Sequence, residues 1–384
     1  MPIRILFIIT RLELGGAQKN VLDIISSLKG SEFEAHLISS DGLLAQQAQA
    51  ILGPRLKIVS YLKRAPEPVS DVLAVFSLAS YMKRNSIDIV HTHSSKAGIL
   101  GRIAAKLAGV RVVIHTVHGW GFHDHLKGFL NNFYIFLEKK AAEFTTRIVA
   151  VSESDIRKGL VLKIGKEDKY VLIRCGIERA SALIPPKEIL AKRHSFGLSS
   201  DDLVVGMVAC FKPQKNPLDF VKCAALISDT YPEAKFLLIG DGVLRGRIER
   251  ALEKMGLKDK VFLLGWREDA GEILPLMDVF ALTSFWEGLP LALLEAIESG
   301  LPVAAYDICG IGEVVKDGVN GFLSRPGDVA GLSSKINLLL SNQGLRKRMG
   351  NMGRYIISKE EFTLKDSMKR MQSLYRLEFK RRAG

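Results

Sequence analysis

Short apolar runs rich in β-branched residues alternate with longer stretches of helical periodicity, and no other feature of this chain constrains its fold as much. In the first half the runs predict strands at Arg4–Ile9, Ala35–Ser39, Ile87–His91, Arg111–Val117 and Arg147–Val151. In the second half they predict strands at Leu203–Ala209, Lys235–Ile239, Lys260–Leu264, Asp278–Leu282 and Pro302–Ala305. Helical patterns separate the strands, most clearly at Ala17–Lys29, Lys96–Ala108 and Leu126–Glu143. This alternation indicates βαβ units, whose parallel sheets are covered by helices on both faces.

The alternation is interrupted at Cys175–Pro186, where Gly176 and the pair Pro185-Pro186 stand. The chain has 384 residues, enough for two domains that each bury a core. We therefore expect an α/β protein with two doubly wound domains, one over residues 1–175 and one over residues 176–364.

Residues 365–384 predict a terminal helix of different character. Thr363 and Asp366 form a capping box at its start. An apolar face and a basic face follow at helical spacing, the first with Leu364, Met368, Met371 and Tyr375, the second with Lys369, Arg370, Arg376, Lys380 and Arg382. Two alternatives stay open: a helix packed on a domain with its basic face in solvent, and a basic amphipathic helix lying on anionic lipid.

The chain carries 54 Lys and Arg against 41 Asp and Glu, and this net charge of +13 indicates anionic partners such as phosphates, nucleic acid or an acidic membrane. Residues 1–175 hold 24 basic and 15 acidic side chains, residues 176–364 hold 23 and 24, and residues 365–384 hold 7 and 2. The surplus therefore lies in the first domain and the terminal helix. Nucleic acid is disfavoured, because we find neither a basic recognition helix nor a stacking-aromatic motif.

Cysteine spacing and hydropathy indicate in which cellular compartment the protein is expected. The four cysteines are too far apart for a CxxC pair, so neither a disulfide framework nor a zinc ribbon is expected. No apolar run approaches the ~18 residues that span a bilayer. Only Arg4 precedes the first apolar run, which argues against a signal peptide. We expect a cytoplasmic protein, and any contact that it makes with the inner face of the membrane is expected to be peripheral.

Two glycine-rich turns follow predicted strands. Gly15-Gly16-Ala17 opens a helix, where unpaired N–H groups favour a phosphate, although such a turn is as often merely tight. Gly240-Asp241-Gly242, with Gly246, imitates the dinucleotide fingerprint. Its third glycine falls one residue late, and Gly265-Trp266-Arg267 stands where that fingerprint needs an acid. Nicotinamide binding is therefore disfavoured.

The strongest motif runs from Thr283 to Pro290 and leads into a helix that carries Glu295. Pro290 suits a first helical turn, and Gly288 removes bulk where a ligand meets the helix. Glu287 then lies at the carboxyl end of a parallel strand, where open α/β sheets bind ligands. Two carboxylates so placed are able to hold hydroxyl groups of two sugar rings, with a diphosphate at the helix N-terminus. In a generic α/β chain they would be a cap and a surface acid.

Lysines and histidines supply the other candidates. Lys212 and Lys215 lie in a proline-bounded loop after a strand and predict a phosphate clamp, although solvated loop lysines are common. Six of the eight histidines fall in the groups His91-Thr92-His93, His115-Thr116-Val117-His118 and His123-Asp124-His125. No HExxH motif or carboxylate triad accompanies them, so a metal site is disfavoured and His118 is interpreted as a hydrogen-bonding residue.

Together these residues resemble the nucleotide-sugar glycosyltransferases of family 4, over essentially the whole chain. The motifs concerned are Gly15-Gly16, Thr116-Val117-His118-Gly119, Val149-Ala150-Val151-Ser152, Pro213-Gln214-Lys215, Gly240-Asp241-Gly242, and Glu287 with Glu295 followed by Ser299-Gly300-Leu301-Pro302-Val303. The resemblance implies the GT-B fold, in which two Rossmann-like domains face each other across a cleft. The first domain would bind the acceptor and the second the nucleotide sugar, and the terminal helix over residues 365–384 would cross back towards the first domain.

The resemblance also implies roles for single residues. His118 would contact the transferred sugar, Lys215 would neutralise the leaving diphosphate and Glu287 would hold sugar hydroxyls. Glu295 would hold the ribose. The implied donor-binding set is Gly15, Gly16, Lys212, Lys215, Gly240, Gly265, Glu287, Gly288, Leu289 and Glu295.

One residue departs from the family pattern. Cys210 stands where the family usually has an arginine, and Lys212 would replace that charge without the bidentate geometry of a guanidinium. We find no Asp-x-Asp motif, which agrees with a metal-independent reaction in which positive side chains and a helix dipole replace the cation. Neither a metal nor a cofactor is expected.

The reaction that the resemblance implies is sugar transfer with retention of anomeric configuration. The implied acceptor is a polyprenyl-diphosphate-linked glycan, a lipopolysaccharide core or another surface polysaccharide. Two alternatives remain: a non-hydrolysing nucleotide-sugar 2-epimerase of the same fold, and a catalytically inactive protein that binds nucleotide sugars or other anions.

Overall fold

The computed structural model of the chain describes residues 2–63, 65–122, 128–179 and 185–383. The chain divides into two units. The first consists of Met1–Cys175 together with Leu364–Gly384, and the second of Gly176–Thr363.

The first unit contains a seven-stranded parallel sheet. Its strands are β1 (Ile3–Arg11), β2 (Phe33–Ser40), β3 (Leu56–Ile58), β4 (Ile89–His93), β5 (Val112–Val117), β6 (Arg147–Ala150) and β7 (Tyr170–Leu172). Their spatial order is β3-β2-β1-β4-β5-β6-β7. The direction of winding reverses between β1 and β4, which makes that junction a topological switch point.

Helices cover both faces of this sheet. They are α1 (Gly16–Ser27), α2 (Ala45–Leu52), α3 (Pro68–Arg84), α4 (Ser95–Ala108), α5 (Gly128–Glu143) and α6 (Glu153–Val161). Alternate residues of β1 point to opposite faces: Phe7 packs in a core with α1 and α2, whereas Leu6 packs in a second core with α3 and α4. Helix α4 also contacts α5.

The second unit repeats the architecture with six parallel strands. They are β8 (Val204–Val208), β9 (Lys235–Ile239), β10 (Val261–Gly265), β11 (Val279–Leu282), β12 (Val303–Tyr306) and β13 (Gly321–Ser324). The order β10-β9-β8-β11-β12-β13 places the switch point between β8 and β11. The helices are α7 (Pro186–Ser195), α8 (Pro217–Thr230), α9 (Arg245–Lys254), α10 (Ala270–Ile273), α11 (Leu291–Glu298), α12 (Ile311–Val314), α13 (Val329–Ser341) and α14 (Gln343–Ile357).

The terminal helix α15 (Leu364–Ala383) packs on the sheet of the first unit. Met368, Met371 and Tyr375 are buried in the same core as Phe7, so the predicted apolar face is used inside the protein. On the opposite face, Arg376 pairs with Glu32. Of the two alternatives for this helix, the burial of its apolar residues agrees with a helix packed on a domain. Within the described ranges, no helix is both long and apolar enough to cross a membrane.

The ten predicted strands are all present, most with bounds within one or two residues of those expected. The interval Ile87–His91 was placed too early, since β4 spans Ile89–His93. The error arises because Thr92 and His93 are polar yet fully buried in the strand. The edge strands β3, β7 and β13 were not predicted. Helix α5 is described from Gly128 onwards, so residues 126 and 127 of the predicted helix lie outside the described residues. The same holds for residues 180–184 of the interruption predicted at Cys175–Pro186.

Candidate active site

Lys215 and Glu287 meet at the switch point of the second sheet. Strands β8 and β11 are neighbours in register, with Val205 opposite Val279. The loops after their carboxyl ends therefore lie side by side, and the Lys215 ammonium forms an ion pair with the Glu287 carboxylate. The pair forms the charged centre of the predicted second-domain site.

Hydrogen bonds fix the two loops against each other. The backbone N–H of Phe285 donates to the carbonyl of Gln214 at 2.8 Å, and Gln214 Nε2 donates to the carbonyl of Trp286 at 2.8 Å. Thr283 Oγ1 donates to the carbonyl of Asn216 at 2.9 Å. The backbone segments that carry the two charged side chains are thereby held beside each other.

The ion pair is mostly removed from water. The Glu287 side chain is 6% exposed and that of Lys215 is 17% exposed. Attraction between charges strengthens at low effective dielectric. An ammonium held there is able to neutralise an anionic ligand, and a carboxylate with four lone-pair sites is able to accept hydroxyl hydrogen bonds.

Gly240 and Gly265 connect the next loops of this edge. The N–H of Gly240 donates to the carbonyl of Gly265 at 2.8 Å. Gly240 has φ +128°, and a Cβ there would lie 2.0 Å from the carbonyl oxygen of Ala209. Both observations give Gly240 a packing role, because only glycine permits this approach of the loops after β8 and β9.

The loop after β11 leads into α11 as the motif predicts. Glu287, Gly288 and Leu289 are buried, Pro290 precedes the first helical residue, and Glu295 is the fifth residue of α11 and half-buried. Gly310, which sequence reasoning missed, closes on this loop from the end of β12. A Cβ on Gly310 would lie 1.5 Å from the carbonyl oxygen of Gly288. The only available signal was a glycine a few residues after a predicted strand.

Cys210 and Lys212 lie in the turn after β8. The N–H of Lys212 donates to the carbonyl of Cys210 at 2.8 Å, and both residues are half-buried. Both therefore lie on the same loop as Lys215, and Lys212 precedes Lys215 by three residues.

The remaining predicted site residues belong to the first unit. Gly15 precedes α1 and Gly16 begins it, after the short loop that follows β1, while His118 follows β5. Gly15 has an extended φ of −162°, which any residue adopts, so its backbone alone does not demand glycine. In the sheet order, β4 lies between β1 and β5, and all three carboxyl ends share one edge.

Four histidines and a tyrosine form a cluster at this edge, in which His118 is half-buried and the other side chains are buried. His93 Nδ1 lies 3.0 Å from His118 Nε2, and the rings of His91 and His93 lie 4.1 Å apart. His91 is hydrogen-bonded to Tyr375 of α15 at 2.6 Å and to Thr116 at 2.7 Å. His115 Nδ1 is bonded to Thr92 at 3.0 Å.

Burial keeps this cluster neutral. It lowers the pKa of His91 to about 3 and that of His118 to about 4, and it lowers the pKa values of His93 and His115 well below the usual 6.5. In the part of the chain that the structure describes, no group of three or more His, Cys, Asp or Glu is arranged to hold a metal ion. His123 and His125 lie outside the described residues.

Comparison with known proteins supplies the family. The model of Glycosyltransferase Family 4 matches residues 14–181, and that of Glycosyl transferases group 1 matches residues 188–355. The chain is 37% identical to UDP-Gal:alpha-D-GlcNAc-diphosphoundecaprenol alpha-1,3-galactosyltransferase of Escherichia coli, covering 85% of this chain and 84% of that protein. It is 27% identical to N,N'-diacetylbacillosaminyl-diphospho-undecaprenol alpha-1,3-N-acetylgalactosaminyltransferase of Campylobacter jejuni, covering 85% and 86%.

A solved structure agrees in fold. Anabaena Alr3699/HepE, crystallised with UDP and glucose, superposes with a TM-score of 0.84 at 21% identity, covering 97% of this chain and 99% of that one. The expected GT-B fold, with two Rossmann-like domains, is thereby confirmed. By its sequence similarity and its fold, the chain belongs to the nucleotide-sugar glycosyltransferases of family 4.

Proposed function

We propose that this enzyme transfers a hexose from a nucleotide sugar, with retention of anomeric configuration, to a saccharide carried on a lipid diphosphate. The observation that carries the proposal is the Lys215–Glu287 pair at the switch point of the second sheet. It supplies a cation for a diphosphate and a carboxylate for sugar hydroxyls within one frame.

Each predicted residue has a role in this proposal. Lys215 leaves Glu287 and neutralises the diphosphate, assisted by the backbone N–H groups at Gly288 and Leu289 before α11. Glu287 is then free to bind hydroxyls of the transferred sugar, and Glu295 binds the ribose. Lys212 adds positive charge on the same loop. Gly240 and Gly265 hold the adjacent loops in place.

The first-unit residues complete the donor set. Gly16, beside Gly15, presents backbone N–H groups of the α1 N-terminus to the diphosphate. His118 contacts the transferred sugar as a neutral imidazole. Residues 1–175 are proposed to hold the acceptor and residues 176–364 the nucleotide.

Retention follows from attack on the face that the diphosphate leaves. The bond between the anomeric carbon and the diphosphate oxygen breaks, the acceptor oxygen bonds to the same carbon, and the acceptor proton passes to the leaving diphosphate. Stabilisation of that leaving group is the main contribution of the protein, at ~2.7–4 kcal/mol for each well-placed donor. Lys215 and the α11 N-terminus supply the positive charge, so the proposal needs no metal and no cofactor.

The acceptor class is inferred from relatives. The Escherichia coli protein and the Campylobacter jejuni protein are both named for substrates linked to diphosphoundecaprenol. A hydrophobic carrier of this kind stays in a membrane, so an enzyme that uses it has to reach the membrane surface.

Exposed apolar side chains on the first unit support such contact. Val69, Val72, Leu73 and Phe76 form an exposed stripe on α3, although the other side of that helix is buried. Phe129, Leu130, Phe133 and Phe136 are exposed on α5. Both helices pack against α4, so the two stripes lie on the same side of the sheet. We propose that this surface, with the basic surplus of residues 1–175, docks on anionic lipid as a peripheral contact. Helix α15 packs on the other side of the sheet, so its basic face adds only long-range charge.

The Escherichia coli and Campylobacter jejuni relatives are both named as transferases, so they do not favour the epimerase or the inactive binding protein.

The decisive experiment incubates the protein with UDP-hexoses and a GlcNAc-diphosphate-lipid acceptor. We expect acceptor-dependent release of UDP and a disaccharide whose anomeric coupling constant matches that of the donor. An inverted product would refute retention, and epimerised donor without an acceptor would favour the epimerase.

A further inference from the structure

The geometry of the contact between His93 and His118 indicates which of the two facing nitrogens carries a proton. His93 Nδ1 faces His118 Nε2 at 3.0 Å, the ring centroids lie 5.3 Å apart, and the ring planes differ by only 26°. The two nitrogens therefore face each other close to both ring planes, as a hydrogen bond between imidazoles requires. One nitrogen carries a proton and the other accepts it.

The second nitrogen of His93 lies in a closed environment. His93 is fully buried, and its ring packs against the rings of Phe7 and His91. Its Nε2 has no hydrogen-bond partner among the described residues. His91 and His115, the titratable neighbours on β4 and β5, are held neutral by burial. Since His93 and His118 are neutral as well, each ring carries one proton.

Two proton arrangements are available. If His118 Nε2–H donated to His93, the proton of His93 would reside on Nε2 as a buried N–H without an acceptor. If His93 Nδ1–H donates to His118, only a bare lone pair is left on Nε2. Orphaned buried N–H groups are rarer in proteins than unsatisfied acceptors, so the second arrangement is preferred. His118 then carries its own proton on Nδ1.

We propose that His93 is a positioning residue that holds His118 in the neutral Nδ1–H tautomer, so that His118 meets the donor sugar as a hydrogen-bond donor and does not act as a base. The role toward the sugar rests on the proposed function. The tautomer itself does not, because it follows from contacts within the first unit.

Nitrogen NMR of the full chain tests the tautomer without any substrate. In ¹⁵N-histidine-labelled protein at neutral pH, the His118 resonances are identified by their loss in His118→Gln. We expect a protonated Nδ1 and a bare Nε2 in the wild type. His93→Phe keeps a ring packed against Phe7 and His91 but removes the donor, and we expect His118 to shift toward Nε2–H. A wild-type His118 protonated on Nε2 would overturn the proposal, as would an unchanged tautomer in His93→Phe.

His93→Asn is the matched variant, because its amide N–H stands close to the position of Nδ1–H. We expect it to retain the Nδ1–H tautomer and most of the turnover, while His93→Phe lowers kcat roughly two- to tenfold, the loss of one neutral hydrogen bond. Equal turnover in both variants would refute the role toward the sugar. If no preparation transfers sugar, the proposed function fails and the NMR result still decides the tautomer.

Discussion

Tyr375 and His91, which are 284 residues apart in the sequence, share a buried hydrogen bond of 2.6 Å. Both side chains are 0% exposed. The terminal helix is thus joined by a polar contact to β4, the strand that also carries His93. Because neither group has access to water, each depends on the other for this bond.

We therefore expect Tyr375→Phe to lower the free energy of unfolding by about 1–3 kcal/mol, since it leaves His91 Nδ1 buried without a partner. Urea denaturation followed by circular dichroism measures the loss. Tyr355→Phe is the control, because Tyr355 is 69% exposed and its change should have little effect. Equal stability of the two variants would show that the bond contributes nothing.

Variants of the Lys215–Glu287 pair distinguish its contribution to stability from its contribution to sugar transfer. Lys215→Ala or Glu287→Ala leaves one largely buried charge unpaired, and we expect each to lower the free energy of unfolding by roughly 3 kcal/mol or less. The double variant should recover part of that loss because no lone charge remains. Transfer should fall by about 10²–10³ in each single variant and should not recover in the double variant.

Lys258→Ala, which breaks the exposed Lys258–Glu253 pair, is the matched control and should retain stability and turnover. Recovery of transfer in the double variant would mean that the pair is structural only.

Gly310 gives a steric test of the loop before α11. Gly310→Ala would bring a Cβ against the Gly288 carbonyl, whereas Gly318→Ala, also at positive φ, meets nothing within 4 Å. Both variants carry the strain of a left-handed alanine, so we expect Gly310→Ala to be less stable than Gly318→Ala by about 1–3 kcal/mol. Only Gly310→Ala should weaken nucleotide-sugar binding, measured by calorimetry. Similar affinities would argue that the loop does not touch the donor.

The sequence predicted the buried strands well and the edge strands poorly. Strands such as β11 are apolar on both faces, which leaves an unambiguous signal. Strand β3 is three residues long, carries Lys57 and is half exposed, so its pattern does not differ from a loop.

Long-range contacts in the site were harder to predict. Lys215 and Glu287 were assigned to one site only through the family resemblance, because their contact depends on β8 lying next to β11, which local periodicity does not encode. The polar end of β4 was misplaced for a related reason. His91 and His93 are buried by partners on other elements. One of these partners is Tyr375, whose place on the apolar face of the terminal helix the sequence did predict.

The histidine cluster predicts a loss of stability in acid. Burial lowers the folded-state pKa of His118 to about 4 and that of His91 to about 3, from 6.5. Between these values the unfolded chain binds protons that the folded chain does not. The free energy of unfolding should therefore fall as the pH drops below about 6.5, by about 1.4 kcal/mol per pH unit for each such histidine.

Denaturation curves at pH 4.5 to 7 measure this dependence. His118→Gln should make the slope shallower by about one proton. An unchanged slope would mean that His118 is protonated in the folded protein.

The exposed stripes on α3 and α5 make the membrane proposal testable. Large apolar side chains that enter a lipid interface lose water contact, and each contributes up to about 1.5–3 kcal/mol. We expect Phe76→Ser with Phe133→Ser to weaken binding to vesicles containing anionic lipid by at least about tenfold. Val243→Ser, at an exposed apolar residue of the second unit, should bind like the wild type.

Activity distinguishes docking from damage to the site. On a water-soluble diphosphate acceptor, the Phe76→Ser, Phe133→Ser variant should turn over like the wild type, because the change lies on the outer side of α3 and α5. On a lipid acceptor in vesicles its kcat/KM should fall, since the enzyme reaches the substrate less often. Raising the salt concentration should weaken vesicle binding of wild type and variant alike, because the basic charge of the first unit is screened in both. Vesicle binding that is equal in wild type and variant at every salt concentration would leave the apolar stripes without a role and would refute this docking surface.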